Sequence, residues 1–414
     1  MAALTRPAAG GDADVAVVGA GVVGLATAWA LARRGARVLL LDRADGPGLG
    51  TSYANGAQLS YAYTDAMAGP ALWRQLPAML SGRDPAFRTR VSADPHFWGW
   101  GLRLLRNATA ARQHRNTLDT LALALESQTA MAALLARHPL DFQHRVAGKL
   151  HVYADAAARP KAEAMMAAKR PFGVRQQWLS PAEAVAFEPA LAGARGMAGA
   201  VYSPEEAMGD PWRFCIGLLA VLQADYGVQA RFGVALHGLR REGTHWRLSA
   251  VADGDDLRVR QVVLCTGIDS HALLRALGLR SPLMAVKGYS FTAPCGALPP
   301  DASITDTARK LVFCRLGDRI RVAGLADLND WDPTPAPARL QQLVALARAS
   351  LPEAADYDRI AHRWAGLRPA TPDSRPVIRR ADDGLVLNIG HGMLGWTLAM
   401  GSGERAAALL AEVA

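Results

Sequence analysis

The stretch between residues 14 and 42 constrains the fold of this 414-residue chain more than any other. A short apolar run, residues 14–18, is typical of a buried strand, and Gly19-Ala20-Gly21-Val22-Val23-Gly24 follows it at once. An apolar helix is predicted from there to about Arg34, and a second strand, residues 37–41, leads into Asp42. A G-x-G-x-x-G inside one βαβ unit, with an acidic residue about 20 positions later, predicts a dinucleotide-binding site.

The glycines and the acidic residue of this unit each have a physical task. Gly19 allows a tight turn, Gly21 lets the backbone approach a pyrophosphate, and Gly24 lets helix and strand pack closely. The helix N-terminus offers free N–H groups and a partial positive charge to the phosphates, and Asp42 can accept hydrogen bonds from an adenosine ribose. The residues predicted to bind the adenosine and the pyrophosphate are Gly19, Gly21, Val22, Val23, Gly24, Asp42 and Arg43.

A second strand–glycine–helix unit lies near the other end of the chain. Residues 385–389 predict a buried strand, and Gly390-His391-Gly392 opens a last helix. The two units are about 350 residues apart, so we predict a cofactor domain built from both chain ends, with a second domain inserted between them. The predicted bounds are 12–60, 196–282 and 356–414 for the cofactor domain, and 61–195 and 283–355 for a substrate domain with a helical cap.

The remaining elements follow from periodicity and capping residues. Residues 66–140 are predicted to be mostly helical, with an amphipathic helix over 118–137, and residues 146–155 alternate like a strand with one polar face. Ser180-Pro181-Ala182-Glu183 is a capping box. Further predicted elements are a helix over 211–226, an apolar strand over 262–265, antiparallel strands within 283–327 and a helix over 338–350. The predicted fold is therefore α/β, Rossmann-like, with an antiparallel-sheet α+β second domain.

Composition limits the classes of function. Half of the residues are apolar and a fifth are charged, as in globular proteins, and no apolar run approaches the roughly 18 residues of a membrane-spanning helix. Residues 1–12 lack the hydrophobic core of a signal peptide, so we expect a cytoplasmic location. The four cysteines form no C-x-x-C pair, so no metal site is predicted. The net charge of +9 favours anionic substrates or an anionic membrane, and without a nucleic-acid-binding motif no nucleic-acid partner is expected.

Motifs in six parts of the chain carry a resemblance to a known family. They are Val18–Gly24; Thr51-Ser52 with Ala54-Asn55-Gly56; Lys287-Gly288-Tyr289-Ser290; Arg319-Ile320-Arg321-Val322; Trp364-Ala365-Gly366-Leu367-Arg368-Pro369 with Thr371-Pro372-Asp373; and Gly390-His391-Gly392 with Leu394-Gly395-Trp396-Thr397. Together they resemble the D-amino-acid oxidase-like FAD enzymes, and within that family the branch of bacterial D-amino acid dehydrogenases. The resemblance spans nearly the whole chain.

The resemblance implies non-covalently bound FAD in an extended conformation. Its adenosine would lie at the N-terminal unit, residues 51–58 would pass over the isoalloxazine ring, and the last helix would direct its positive N-terminus at the flavin pyrimidine edge. His391 would either hydrogen-bond the flavin, fill the turn or transfer a proton. The further residues assigned to the cofactor are Thr51, Ser52, Asn55, Gly56, Ala57, Gln58, Thr266, Gly267, Arg368, Gly390, His391, Gly392, Leu394, Gly395, Trp396 and Thr397.

The resemblance also implies a substrate site around Arg368. The guanidinium would bind the carboxylate of a D-amino acid through a bidentate fork, and Tyr61, Tyr63 and Tyr289 are candidate walls of the site, or ordinary core residues. With His391, the catalytic set comprises Arg368, Tyr61 and Tyr289. The implied reaction is oxidative deamination to a 2-oxo acid and ammonia, by hydride transfer from Cα to flavin N5.

The electron acceptor and several alternatives stay open at this level. The family branch implies a respiratory quinone or another acceptor that is not O2, and the basic, Trp-rich residues 97–106 fit either a peripheral contact with the inner face of an anionic inner membrane or an ordinary packed helix. Alternative functions are a D-proline or 4-hydroxy-D-proline dehydrogenase and a glycine- or sarcosine-type oxidase. An NAD(P)H-dependent FAD hydroxylase and a non-catalytic flavoprotein subunit are more distant alternatives, and the oligomeric state is not predicted.

Overall fold

The N-terminal βαβ unit forms as expected in the computed structural model, which describes residues 13–194, 196–251 and 257–411. The strands are β1 (Val15–Val18), β2 (Val38–Leu41), β3 (Gln58–Leu59), β4 (Phe87–Thr89), β5 (Arg145–Val146), β6 (Lys149–Tyr153), β7 (Gln177–Leu179), β8 (Gly199–Ser203), β9 (Ala207–Met208), β10 (Gln229–Arg231), β11 (Ala235–Glu242), β12 (His245–Val251), β13 (Leu257–Val259), β14 (Gln261–Leu264), β15 (Met284–Pro294), β16 (Ser303–Asp306), β17 (Leu311–Leu316), β18 (Arg319–Leu328), β19 (His362–Ala370), β20 (Val377–Asp382) and β21 (Leu385–Ile389).

Helices connect these strands and cover their faces. They are α1 (Val22–Ala32), α2 (Ala71–Leu80), α3 (Pro95–Asn107), α4 (Ala110–Arg137), α5 (Arg159–Lys169), α6 (Pro181–Phe187), α7 (Pro211–Tyr226), α8 (Ser270–Ala276), α9 (Pro337–Ser350) and α10 (Gly395–Ala411). Short 3-10 turns occupy Ala156–Ala158, Arg170–Phe172, Pro189–Gly193, Gly267–Asp269 and Gly392–Leu394.

One sheet brings the two chain ends together. Its order is β10-β2-β1-β14-β21-β20, and its strands are parallel except for the edge strand β20. The strands β1, β2 and β21 are buried along their whole length, as expected for a parallel sheet that is covered on both faces. A Cβ atom at Gly403 of α10 would lie 2.7 Å from the Ala26 backbone of α1, so glycine lets the first and last helices pack backbone to backbone.

A second, nine-stranded sheet carries the inserted part of the chain. Its order is β19-β15-β18-β17-β16-β6-β8-β7, with β4 added beside β18. The strands β15, β17, β18 and β19 pair antiparallel, which confirms the prediction for residues 283–327. The apolar face of this sheet, which includes Phe291, Phe313 and Val322, packs with Leu340 and Leu343 of α9 in one buried cluster. The predicted fold class is thus confirmed, whereas the exact domain bounds stay a prediction.

Local signals located most helix ends. Asp210 accepts hydrogen bonds from the backbone N–H groups of Trp212 and Arg213 and so caps α7, and Ser180 and Glu183 form the predicted capping box. Two predictions need correction. The helix predicted over 118–137 begins earlier, at Ala110, and the last helix begins at Gly395, after a 3-10 turn that starts at Gly392.

Two sequence-based expectations concern membranes and the N-terminus. Among the helices of the described residues, none has both the length and the apolar character that crossing a bilayer requires. Residues 1–12, for which we predict no signal peptide, lie outside the described residues.

Candidate active site

The N-terminal glycine turn has the shape that a pyrophosphate requires. Gly19 has a φ of +105°, which only glycine adopts readily, and a Cβ atom there would lie 2.5 Å from the carbonyl oxygen of Cys265. A Cβ atom at Gly24 would collide with the Gly19 carbonyl group. Gly21 precedes α1 without capping it through a side chain, and the first turn of α1 contains no acidic residue. The N-terminus of this helix is therefore suited to an anionic group.

The side chains around this turn are partly engaged in holding it. Ser52 Oγ accepts a hydrogen bond from Val22 N at 3.1 Å. Asp42 accepts from Ala20 N at 2.5 Å through Oδ2 and from Ala44 N at 2.8 Å through Oδ1. A carboxylate has about four acceptor positions, so Asp42 retains capacity for a ribose hydroxyl, and that contact stays a prediction.

Other residues predicted to bind the cofactor lie at the same edge of the sheet. Thr266 and Gly267 follow β14, which is the parallel neighbour of β1, and Thr266 Oγ1 shares a hydrogen bond with Ser270 Oγ at 2.7 Å. Arg43 forms an exposed ion pair with Asp269, with 2.9 Å between Nε and Oδ2. Val23 is half-buried and packs against the core of the six-stranded sheet.

The 51–57 segment packs against the nine-stranded sheet. Thr51 Oγ1 donates to the carbonyl of Leu367 on β19 at 2.8 Å, and Ser290 Oγ of β15 donates to the carbonyl of Ala54 at 2.5 Å. Asn55 Oδ1 accepts from Ala57 N at 2.9 Å, which supports a left-handed Ala57 with a φ of +59°. A Cβ atom at Gly56 would lie 2.9 Å from Val312 of β17. The segment therefore lies against β15, β17 and β19, the last of which carries Arg368.

The Gln58 side chain is engaged elsewhere. Its Nε2 donates to Ser303 Oγ at 2.5 Å, and its Oε1 accepts from Lys149 Nζ at 2.9 Å. The Gln58 side chain is thus bound within the protein, and a contact of Gln58 with the cofactor stays a prediction. Thr397, in the first turn of α10, accepts from Ser60 N at 3.0 Å, so the end of this segment lies against the α10 N-terminus.

The turn before α10 holds His391 in an apolar setting. Gly390 has a φ of +80°, and a Cβ atom there would lie 2.7 Å from the Thr371 side chain. His391 is buried, its Nε2 has no hydrogen-bond partner among the described residues, and burial lowers its pKa to about 3. The imidazole is therefore neutral at physiological pH and can make one further hydrogen bond. This weighs against proton transfer through an imidazolium.

The residues that follow this turn lie in different environments. Leu394 ends the 3-10 turn half-buried, and Gly395 is the first residue of α10. The Trp396 ring packs into the apolar core, with 4.7 Å between its centroid and that of Phe214 and 5.9 Å to that of Phe142. The side chain of Trp396 is therefore a core residue.

Arg368 lies on β19, opposite Val286 of β15. Its guanidinium lies over Gly288, where a Cβ atom would collide with it, and Nη1 donates to the carbonyl of Leu325 at 3.4 Å. Burial lowers the pKa of Arg368 to about 10, partly offset by the charge of Asp327, so the side chain stays protonated at neutral pH. No carboxylate of the described residues forms an ion pair with it.

Trp364 shares this surface with Arg368, a neighbourhood that the sequence analysis missed. Gly366 faces Gly288 across the two strands, and a Cβ atom at Gly366 would collide with the Trp364 indole. The paired glycines thus leave room for an indole beside a guanidinium. The combination fits a small molecule with an apolar part and a carboxylate.

Tyr289 does not line this surface. Successive side chains of a strand point to opposite faces, and because Arg368 lies over Gly288, the next residue points away from it. The Tyr289 hydroxyl donates to Asp327 Oδ2 at 2.7 Å, and Asp327 also pairs with Arg339 of α9 at 2.6 Å. Burial and that carboxylate raise the pKa of Tyr289. The structure therefore gives Tyr289 a place in the packed face of the sheet, not beside Arg368.

The other two tyrosines belong to the 58–65 segment, where Tyr61 is buried and Tyr63 is half-buried. Tyr61 belongs to the core around α1 and α10, and burial together with Glu206 raises its pKa. The Tyr63 ring contacts His151, with 3.9 Å between the ring centroids, and burial raises the pKa of Tyr63. Neither hydroxyl has a hydrogen bond that would tie it to Arg368.

Two groups of buried polar residues escaped the sequence analysis. Arg321 is buried, donates to Asp210 Oδ2 at 3.3 Å and to Thr292 Oγ1 at 3.2 Å, and has an unpaired Nη1 among the described residues. The alternation within residues 146–155 predicts a strand with one polar face, yet Lys149 and His151 on that face are both buried. That correction has a physical reason: the 58–65 segment covers this face of β6.

The residues present fit FAD. A side chain at Gly24 would collide with the Gly19 carbonyl group and so distort the glycine turn, and the first turn of α1 contains no acidic residue that would compete with a phosphate. Arg321 Nη1 and His391 Nε2 are buried polar atoms that need a partner, which a bound polar ring system would supply.

Comparison with known proteins identifies the family. The model of the FAD-dependent oxidoreductase family DAO matches residues 14–409, and the chain belongs to this family. It is 43% identical over 411 residues to D-amino acid dehydrogenase 2 of Ralstonia nicotianae, covering 96% of each chain. It is 41% identical to D-amino acid dehydrogenase of Paramagnetospirillum magneticum, covering 96% of this chain and 94% of that one.

Solved structures share the fold. Glycine oxidase from Geobacillus kaustophilus superposes with a TM-score of 0.76 at 21% identity, covering 97% of this chain and 95% of that chain. L-proline dehydrogenase from P. horikoshii gives a TM-score of 0.75 at 16% identity, covering 97% of this chain and 94% of that chain. The chain is therefore an FAD-dependent oxidoreductase with the DAO fold.

Proposed function

We propose that this chain is a dehydrogenase that deaminates D-amino acids oxidatively to 2-oxo acids and ammonia, with Arg368 binding the substrate carboxylate. The observation that carries the proposal is the half-buried, protonated Arg368 guanidinium, which has no carboxylate partner among the described residues. A charge in such a position is costly unless a counter-ion joins it. The substrate class is taken from the names of the relatives.

Arg368 would act by orientation. A guanidinium binds a planar carboxylate through two parallel hydrogen bonds and repels an ammonium group, so the amino end of the substrate would lie away from it. The neighbouring Trp364 would contact the substrate side chain. Binding the carboxylate and the side chain of the substrate in this way would fix the orientation of its Cα atom, and less entropy would then be lost on reaching the reactive geometry.

The cofactor would be held by the residues of both chain ends. Gly19–Gly24 and the α1 N-terminus would bind the pyrophosphate, Asp42 the ribose, and residues 51–57 and 390–397 the ring system. FAD supplies, when bound, the capacity to accept a hydride. His391, neutral because of its burial, would donate or accept one hydrogen bond through Nε2 without taking up a proton.

A respiratory quinone at an anionic membrane surface is the acceptor we propose. Large apolar side chains of the α2–α3 region are exposed: Trp73, Leu80, Val91, Trp98 and Leu102. On α3, Trp98 and Leu102 are one turn apart, while Phe97, Trp100 and Leu104 face the core. Next to them, Arg103, Arg106 and Arg112 line an open cavity of about 990 Å³. Exposed apolar residues beside cations favour the interface of an anionic bilayer.

Substrate oxidation by Arg368 variants tests the assignment. Anaerobic D-alanine should bleach the yellow holoprotein, and Arg368→Ala should lower kcat/KM about a hundredfold, mainly through KM, because two hydrogen bonds to a charged group are lost. Arg368→Lys keeps the charge without the fork and should fall in between. Arg379→Ala, an exposed arginine of β20, is the matched control, and bound FAD is measured in each variant.

Three outcomes would contradict the proposal. If Arg368→Ala oxidised D-alanine with an unchanged KM, the substrate assignment would be wrong. If hydrogen peroxide accumulated stoichiometrically under air, the chain would be an oxidase. If glycine, sarcosine or D-proline were oxidised much faster than D-alanine, one of the alternative substrate classes would replace the proposed one.

A further inference from the structure

The chain that leaves β3 is buried although it has no regular structure. Ser60, Tyr61, Ala62 and Thr64 are at most 6% exposed, and no helix or strand includes them. Buried backbone polar groups require partners, and a helix or a sheet normally supplies them. Here side chains must do so.

Charged side chains from three other elements bind this segment. Lys149 Nζ of β6 donates to Ser60 Oγ at 2.6 Å and to Gln58 Oε1 at 2.9 Å. Glu206 Oε1 accepts from Ala62 N at 2.6 Å. At the carbonyl side of Ala62, Lys169 Nζ of α5 donates at 2.8 Å and also binds Asp65 at 2.7 Å. The segment is thus held from both sides of its backbone.

This arrangement is costly in free energy. Lys149, Lys169 and Glu206 are at most 2% exposed, and burying a charge is unfavourable unless it is paired. Neither Lys149 nor Glu206 forms an ion pair within 4 Å in the described part of the chain. Burial lowers the pKa of Lys149 and raises the pKa of Glu206, and the opposite charge of each group partly offsets the shift of the other. An apolar residue at position 149 would avoid this cost.

The groups that face Lys149 come from several elements. Lys169 lowers its pKa further, whereas Glu206 and Cys314 raise it. The Tyr63 ring lies 5.0 Å from Nζ, and His151, on the same face of β6, is kept neutral by burial and by the two lysines. Glu206 is the carboxylate among these groups, and its Oε2 atom has no hydrogen-bond partner among the described residues.

The other side of the segment touches the proposed cofactor site. Ser60 N donates to Thr397 Oγ1 in the first turn of α10 at 3.0 Å, and Thr397 Oγ1 donates to Gln58 O at 3.5 Å. Residues 58–60 therefore lie between the Lys149 ammonium and the N-terminus of α10. Ser60 thus contacts Lys149 Nζ through its side chain and the first turn of α10 through its backbone N–H.

We propose that Lys149 is a positioning residue for FAD binding and substrate oxidation, which acts through Gln58 and Ser60 by fixing the 58–62 segment against the α10 N-terminus. The inference rests on the proposal that this segment and α10 line the FAD site, and not on the identity of the substrate. Lys149 touches neither substrate nor cofactor in this scheme. Glu206 and Lys169 complete the support by binding the two backbone groups of Ala62.

The test compares Lys149→Met with Lys161→Met, which changes an exposed lysine of α5. Lys149→Met should weaken FAD binding by the apoprotein about tenfold, since two hydrogen bonds from a charged group to the segment are lost. In FAD-saturated enzyme it should lower kcat with KM for D-alanine nearly unchanged, because Arg368 is unaffected. Lys161→Met should alter neither quantity.

A double-mutant cycle separates positioning from general destabilisation. Ser60→Ala should weaken FAD binding in the wild type and have little further effect in Lys149→Met, because residues that act through one contact are not additive. Glu206→Met, which keeps the length of the side chain and removes the acceptor of the Ala62 N–H group, provides a second variant if Lys149→Met does not fold, and it should also weaken FAD binding.

The readouts distinguish this inference from the proposed function. Unchanged FAD affinity in folded Lys149→Met, or additive effects of Lys149→Met and Ser60→Ala, would overturn the positioning role. A wild type that binds FAD tightly but does not oxidise D-amino acids would overturn the proposed function, and the FAD-binding cycle would still decide the role of Lys149.

Discussion

Two arginines lie on opposite faces of the nine-stranded sheet in contrasting environments. Arg339 reaches one face from α9 and is 2% exposed, with Asp327 Oδ1 at 2.6 Å and further bonds to Gln342 Oε1 and to the carbonyls of Pro85 and Ala86. Arg368 lies on the other face and has one long hydrogen bond to a carbonyl group. The first guanidinium is saturated by the protein, and the second is not.

The difference shows that the two faces of one sheet can have different roles, one in stability and the other in ligand binding. A buried guanidinium with a full set of partners contributes to the packed interior, and losing it leaves a carboxylate without its counter-ion. A guanidinium without a counter-ion adds little to stability and is available to an incoming carboxylate. Replacing Arg339 should therefore mainly lower stability, and replacing Arg368 should mainly lower activity.

The largest expected effect is on stability at Arg339. Arg339→Met should lower the free energy of unfolding by about 3–5 kcal/mol, because Asp327 stays buried with no cation. Arg368→Met should change it by less than about 1 kcal/mol or raise it, because the charge that it removes has no counter-ion. Urea titration of the apoproteins measures both. Equal losses in the two variants would show that Arg368 is also a structural arginine.

Tyr289 gives the next largest effect and tests the sequence-based assignment directly. Tyr289→Phe should lower the free energy of unfolding by about 1.5–3 kcal/mol, because a hydrogen bond to a charged group is lost. The kcat/KM for D-alanine should stay unchanged. Tyr357→Phe is the matched control on the same face of the sheet, since its hydroxyl donates to the neutral carbonyl of Leu351 at 2.6 Å. Its expected cost is smaller, about 0.5–1.5 kcal/mol.

The kinetic result decides which account of Tyr289 holds. A drop in kcat/KM with retained stability would restore Tyr289 to the substrate site and contradict the alternation of side chains along β15. An unchanged kcat/KM with lower stability would show that Tyr289 is a structural residue, and Arg368 and Trp364 would remain the proposed substrate-binding residues of the sheet.

Local patterns predicted the parts of the fold that depend on neighbours in sequence. The glycine turn at residues 19–24, the cap at Asp210 and the capping box at Ser180 each involve residues that are at most a few positions apart. The meeting of the two chain ends was also predicted from sequence, since a strand–glycine–helix unit lies near each end. Period and capping thus located most of the elements.

Two features of the site could not be predicted from sequence: which face of a strand a side chain occupies, and which distant segment covers that face. The sequence predicts Tyr289 as a candidate wall of the site, but only alternate residues of β15 face Arg368, and the pairing of Val286 with Arg368 determines which ones do. Lys149 and His151 alternate with apolar residues as on a solvent-facing strand. Their burial depends on a segment about 90 positions away in the chain, which no local pattern reveals.

A third setting for arginine extends the comparison to the surface. Arg103 and Arg106 of α3 are exposed, beside the exposed side chains of Trp98 and Leu102, and no carboxylate of the described residues pairs with them. Unpaired cations beside apolar residues should serve as a docking surface, just as the unpaired Arg368 serves a small anion.

Vesicle binding measures this smallest effect. Arg103→Gln and Arg106→Gln should each weaken binding to vesicles of phosphatidylglycerol and phosphatidylcholine about fivefold, since each cation near an anionic surface contributes about 1 kcal/mol, and added salt should reduce the difference. Trp98→Ser should weaken binding at all salt concentrations, because its contribution is hydrophobic. Ile216→Ser, at an exposed apolar position of α7, should have no effect. If the wild type bound neutral and anionic vesicles equally weakly, the unpaired arginines of α3 would be ordinary solvated side chains, and the contrast between paired and unpaired arginines would apply to the interior alone.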